Sequence, residues 1–202
     1  MSARLFIVRH GNTFAPGEAP RRVGARTDLP LVESGRVQAQ AIGAAFAAQG
    51  IRPDRIVTSP LLRARETGAL IGAAVGVKPD TDTPAFLDEI DHGPDENRTE
   101  DEVVARIGHH AIEAWDARGE APSDWTVDAP GRIAAWQAFV AGLSGGTHVL
   151  VTSNGAARFA FLAFPELLGR GERPNLKLRT GAWGELAVHA GAPRFIGWDT
   201  RP

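Results

Sequence analysis

Short unbroken apolar runs alternate in this chain with longer stretches whose apolar positions recur three to four residues apart, the patterns of buried strands and amphipathic helices respectively. Leu5-Phe6-Ile7-Val8 is the first such run, and Arg9-His10-Gly11-Asn12-Thr13 comes directly after it. Residues 14 to 33, rich in Pro, Gly and Arg, read as a loop that would overhang the end of that strand. Ser34 can cap a helix carrying Val37, Ala41, Ile42, Ala45 and Phe46, which Gly50 stops. Arg55 to Thr58 is the next strand, and Ser59-Pro60 opens a second helix.

Val77 to Thr81 fits a short third strand, and Pro84 to Asn97 is acidic and turn-rich. Thr99-Glu100-Asp101-Glu102 has capping-box spacing ahead of a helix with Val103, Val104, Ile107, Ile112 and Trp115. After a loop over 118–131 with Trp125 inside it, Ile133, Trp136, Phe139 and Val140 mark one face of another helix. Val149 to Ser153 is a further strand, Ala156 to Phe164 a helix, and Gly184–Val188 with Arg194–Trp198 closing strands that would suit an antiparallel edge. Strands alternating with helices predict an α/β fold, a three-layer αβα sandwich on a mostly parallel central sheet. No repeat or composition break divides the chain, so it reads as a single unit over 1–202 with residues 82–131 at most an inserted cap.

Composition narrows the chemistry. With 202 residues, 43% of them apolar, the chain can bury one sizeable core. Its net charge of -2 gives no basic surface for nucleic acid or an anionic membrane, so an anionic ligand would need a local arginine cluster. Cysteine is absent, which removes disulfides, thiolate metal sites and cysteine nucleophiles. With neither a signal-like start nor a transmembrane-length run, the expectation is a cytoplasmic protein.

In an open α/β sheet, ligands bind beyond the carboxyl ends of the strands, which is where Arg9 and His10 would emerge. Gly11 would let the backbone turn sharply behind them. A guanidinium beside an imidazole suits a phosphorylated ligand: the fork holds oxygens while a neutral ring nitrogen attacks phosphorus. Arg63, one turn into the second helix, can reach back toward the same anion, whereas Arg65 lies on another, solvated face. The turn Ser153-Asn154-Gly155 offers helix-start N–H groups to a phosphate.

These segments resemble the histidine phosphatase superfamily, in its phosphoglycerate-mutase-like branch. Arg9-His10-Gly11-Asn12-Thr13 looks like the signature, Thr27-Asp28-Leu29-Pro30-Leu31 with Gly35 like the element after it, Ser59-Pro60-Leu61-Leu62-Arg63-Ala64 like the second arginine motif, and Leu87-Asp88-Glu89 with Gly93 like the acid-supplying segment. The resemblance implies that His10 is a nucleophile forming phosphohistidine and Glu89 the acid, chosen over Asp88 by the motif. Arg9 and Arg63 would hold the phosphoryl group, with Asn12, Asn154 and Gly155 as further phosphate ligands, and no metal or other cofactor. Where the family carries a second histidine this chain has Asn154, a neutral donor that could equally cap the helix after it. His92 lies in the acid loop as a visitor to the pocket, while His109, His110, His148 and His189 read as structural or surface residues. Asp91, His92 and Asp95 lack a recognised metal-ligand spacing. Three functions therefore stand open: a metal-independent phosphatase acting on a small phosphorylated substrate, a weak or inactive relative that binds a phosphorylated ligand or partner, and a phosphoglycerate mutase.

Overall fold

A computed structural model describes residues 2–168 and 176–202. Five strands form one mixed sheet in the order β2-β3-β1-β4-β5, with β1 Ser2–Arg9, β2 Arg55–Thr58, β3 Gly146–Thr152, β4 Trp183–His189 and β5 Ala192–Thr200. β1 and β2 both pair parallel with β3. β4 runs antiparallel between β1 and β5. The expected antiparallel edge is therefore present, and it makes the sheet mixed: two of its four pairings are parallel and two are antiparallel.

Both faces of the sheet are covered, as unbroken apolar strands require. Leu5 and Ile7 of β1 point into one core and Phe6 and Val8 into the other, the period of two along a strand. Phe6 and Val8 meet α1 (Glu33–Ala48) and α2 (Leu62–Val75) through Ile42, Phe46, Ala64 and Ile71. Leu5 and Ile7 belong to the larger core under α3 (Glu100–Arg118), α4 (Ala129–Ala141) and the short α5 (Asn154–Ala157) and α6 (Phe159–Leu162), where Trp115, Trp136 and Phe159 are fully buried.

Several local expectations shift. Val77–Thr81 is not a strand; it lies beside β2 through one backbone bond, Asp80 N–H to Ile56 O at 2.8 Å. Pro79 has no N–H with which to extend a ladder. Neither Ser34 nor Ser59 caps a helix. α1 starts at Glu33, and α2 starts at Leu62, whose N–H is accepted by Asp28 Oδ1 at 2.7 Å from the preceding loop. Thr99 does form the predicted capping box. The helix predicted over Ala156–Phe164 begins at Asn154 and is interrupted at Arg158. α3 kinks at Gly108, which has φ +81°, a conformation open to glycine. No helix among the described residues is long and apolar enough to cross a membrane.

Candidate active site

β1 and β3 end side by side, and the segments just beyond their carboxyl ends build the site. His10 N–H donates to Thr152 O at 3.0 Å, tying the residue after β1 to β3. Gly11 serves close approach rather than a sharp turn: a Cβ there would stand 2.2 Å from Gly35 O. The backbone after His10 thus rests directly on the start of α1.

The His10 ring is fixed from both sides. Its Nδ1 lies 2.8 Å from Gly11 O, an acceptor, so Nδ1 carries the hydrogen and Nε2 the lone pair. Arg63 Nε donates to that Nε2 at 3.2 Å. Burial, and then the charges of Arg63 and Arg9, hold the imidazole well below its ordinary pKa of 6.5. The ring is therefore neutral at physiological pH, with its lone-pair nitrogen held in one direction.

Arg63 is fully buried, and its Nη atoms donate to Thr27 O at 2.7 Å and Gly24 O at 3.2 Å. It braces the loop 24–31 from beneath His10 and is not on the cavity wall. Arg9 is on that wall. Its Nη1 donates to Leu178 O at 2.6 Å, its Nε is buried without an acceptor, and burial lowers its pKa to about 10, so it stays charged.

Glu89 reaches the same cavity from the loop between α2 and α3. Arg132 Nη1 donates to Asp88 O at 2.5 Å, and Asp91 and Thr126 exchange backbone bonds of 3.2 and 2.9 Å. Trp125, buried within its loop, donates from Nε1 to Asp95 at 2.8 Å. The stretch 125–132 thereby sets where Glu89 stands. The Glu89 carboxylate accepts Ile90 N–H at 2.9 Å and Gly155 N–H at 3.2 Å. Asp88, the other candidate, is absent from the cavity wall. Asp91 pairs with Arg26 and Asp95 with Arg106, and no His/Asp/Glu cluster suited to a metal occurs among the described residues.

The turn after β3 differs from expectation in two ways. Gly155 N–H is directed to Glu89, so it is not a free donor. Asn154 does not cap its helix: its Oδ1 accepts Leu178 N–H at 2.8 Å, which leaves the amide nitrogen as the group it can offer the cavity. Asn12 lines the cavity, with its amide nitrogen 3.3 Å from Ser34 Oγ and its oxygen accepting from Thr180.

His10, Arg9, Asn12, Glu89, Asn154 and Gly155 thus surround one cavity of about 710 Å³, with Arg63 behind His10. His92 is also on its wall, buried, with Nδ1 3.5 Å from Glu96. Burial alone would raise the Glu96 pKa, but bonds from His92, Thr27 and Gly24 hold it down at about 2. Sequence reasoning missed Phe14, Arg21 and Arg22 from the first loop, Trp115 and Asp116 from α3, and Arg158, Lys177 and Arg179. For Arg158 a signal existed, since it lies one helical turn beyond Asn154. The wall carries seven basic residues against four acidic ones in a chain of net charge -2.

A solved mycobacterial glucosyl-3-phosphoglycerate phosphatase in complex with VO3 superposes with a TM-score of 0.77 at 25% identity, covering 98% of this chain and 99% of that one. The alpha-ribazole phosphatase from Shigella flexneri shares the fold, with a TM-score of 0.70 at 20% identity over 98% of this chain and 96% of its own. A 2,3-bisphosphoglycerate-dependent phosphoglycerate mutase of Methylobacterium sp. (strain 4-46) is 31% identical over 188 residues, 90% of this chain and 89% of that protein. The sequence profile of the histidine phosphatase superfamily, branch 1, matches residues 5–201, and the chain belongs to that superfamily.

Proposed function

We propose that the protein is a metal-independent phosphatase that hydrolyses a small phosphomonoester through phospho-His10. The observation that carries this reading is the state of His10: neutral, Nδ1 bonded to Gly11 O, Nε2 a lone-pair nitrogen held by Arg63 Nε, and the residue on the wall of a cationic cavity. Nε2 attacks phosphorus, the bond to the ester oxygen breaks, and Glu89 in its acid form gives that oxygen a proton. Water then attacks the phosphohistidine, which regenerates His10 and releases phosphate as Glu89 takes a proton back. The transferring group spreads its charge over three equatorial oxygens, which Arg9 and the Asn154 amide can meet with N–H donors. Once Nε2 is bonded to phosphorus it no longer accepts from Arg63 Nε, so that N–H turns to a phosphoryl oxygen.

Asn154 keeps a second reading in view, a weak relative that binds a phosphorylated ligand without turnover, because a neutral donor stabilises the transition state less than a charged one. The decisive experiment is turnover of an aryl phosphate by the wild type, Asn154→His, Asn154→Ala and His10→Ala, with trapping of acid-labile phosphoenzyme. The expected order is Asn154→His above wild type by up to about tenfold and Asn154→Ala below it. His10→Ala should lack both turnover and phosphoenzyme. Uniform inertness with vanadate still bound would leave only the binding reading. Assay with phosphoglycerate separates phosphatase from mutase, an activity the Methylobacterium relative's name carries.

A further inference from the structure

Arg158 sits at the break between α5 and α6, 1% exposed, yet on the wall of the His10 cavity. Its guanidinium lies over the Trp115 ring at 4.0 Å, and its Nη1 donates to the Trp115 carbonyl. Its Nε is buried with no acceptor. Asp116, the carboxylate beside it, is 3.8 Å from Nη2, beyond hydrogen-bond reach. The other Asp116 oxygen is 2.5 Å from Lys177 Nζ, so this carboxylate is divided between two cations. Burial lowers the Arg158 pKa to about 10, which leaves it charged at neutral pH.

Buried cations are normally paired and fully hydrogen-bonded, because an uncompensated one is expensive. Among the described residues, Arg158 has one carbonyl, one aromatic face and a shared carboxylate, and it opens onto a cavity much larger than a phosphoryl group. Its planar fork is suited to carboxylate or phosphate, and Trp115 and the Trp115 carbonyl fix its plane before any ligand arrives.

We propose that Arg158 is a specificity residue that binds a second anionic group, a carboxylate or a further phosphate, on the phosphomonoester whose phosphoryl group goes to His10. The proposal rests on the phosphatase reading above and deepens it. Asp116 competes with the ligand for the same guanidinium, which sets the two residues in opposition: loss of Arg158 weakens recognition of the second anion, and loss of the Asp116 charge strengthens it.

The test compares glycerol 3-phosphate with 3-phosphoglycerate, which differ by one carboxylate, in the wild type, Arg158→Met and Asp116→Asn, with an aryl phosphate as reference. The wild type should favour 3-phosphoglycerate. Arg158→Met should lower kcat/KM for it about 10- to 100-fold, mainly through KM, the size expected for losing a charge-assisted bond, with glycerol 3-phosphate changed less than about twofold. Asp116→Asn should raise the preference severalfold, and this arm stands even if Arg158→Met does not fold. Equal losses on both esters would place Arg158 at the transferring phosphoryl group and overturn the proposal, as would no gain in Asp116→Asn. If the wild type turns over none of the three esters, the phosphatase reading fails separately. Calorimetric affinities for the same two ligands then decide: unchanged discrimination in both variants overturns the role of Arg158.

Discussion

A Cβ on residue 155 would stand 2.2 Å from Glu89 Oε1 and 3.1 Å from Ile90 Cγ1, so glycine there lets the proposed acid lie against the helix start. Gly155→Ala should push Glu89 aside and cost about 10² in kcat/KM, while its helical fold, read by circular dichroism, survives. A variant with wild-type turnover would show that Glu89 does not act from this position. His10 gives a prediction in pH. Its folded pKa lies below the unfolded value of 6.5, so the unfolded chain binds the extra proton. The His10 contribution to stability is thus complete above about pH 6.5 and lost as pH falls below it. Urea midpoints for wild type and His10→Gln should converge or cross as pH drops from 7 to 5; parallel curves would mean the imidazole is not held neutral. The sequence named His10, Glu89 and Gly155 by type and order. It could not show that Gly155 N–H and the Asn154 oxygen are already engaged, because those partners, Glu89 and Leu178, are remote in the chain.

α2 depends on a residue outside it. Leu61 gives no side-chain cap, and Asp28 Oδ1 accepts the Leu62 N–H instead, while Arg63 donates to Thr27 O and Gly24 O. Helix and loop therefore brace each other, with Glu66 accepting Leu31 N–H at 2.9 Å as a further tie. Asp28→Ala should cost about 1 kcal/mol in stability as a lost cap. It should also lower kcat, since Arg63 and with it the His10 ring lose their brace. Thermal melts and steady-state kinetics check the two effects, and a stability loss with intact kcat would confine Asp28 to the helix end. The start of α2 at Leu62 was not readable from Ser59-Pro60, because the serine there is buried with its Oγ unpartnered and the cap comes from another segment. By contrast, the capping box at Thr99 was readable because both partners lie within one turn.

Across the whole molecule, a cavity wall with seven basic and four acidic residues stands in a chain of net charge -2. Such a field draws anionic esters inward at low ionic strength and is screened by salt. kcat/KM for a phosphate ester should fall about threefold to tenfold between roughly 10 mM and 500 mM sodium chloride, with kcat much less affected. A flat profile would mean that the wall charges are cancelled by their own partners. The wall is assembled from widely separated parts of the chain: the segment 9–23, residues 89–100, the end of α3, the turn after β3 and residues 177–201. The backbone bonds Arg22 N–H to Arg98 O at 2.7 Å and Asn97 N–H to Arg22 O at 2.8 Å join two of them. The sequence by itself determined the alternation of strands and helices, two-sided burial of the sheet, and the motif residues Arg9, His10, Arg63 and Glu89, since periodicity and residue chemistry are local properties. Only the tertiary structure decided the seating of β4 between β1 and β5, the placing of Arg63 beneath His10 rather than on the wall, and the recruitment of Arg158 and Trp115. Those depend on which distant side chains meet once both faces of the sheet are buried.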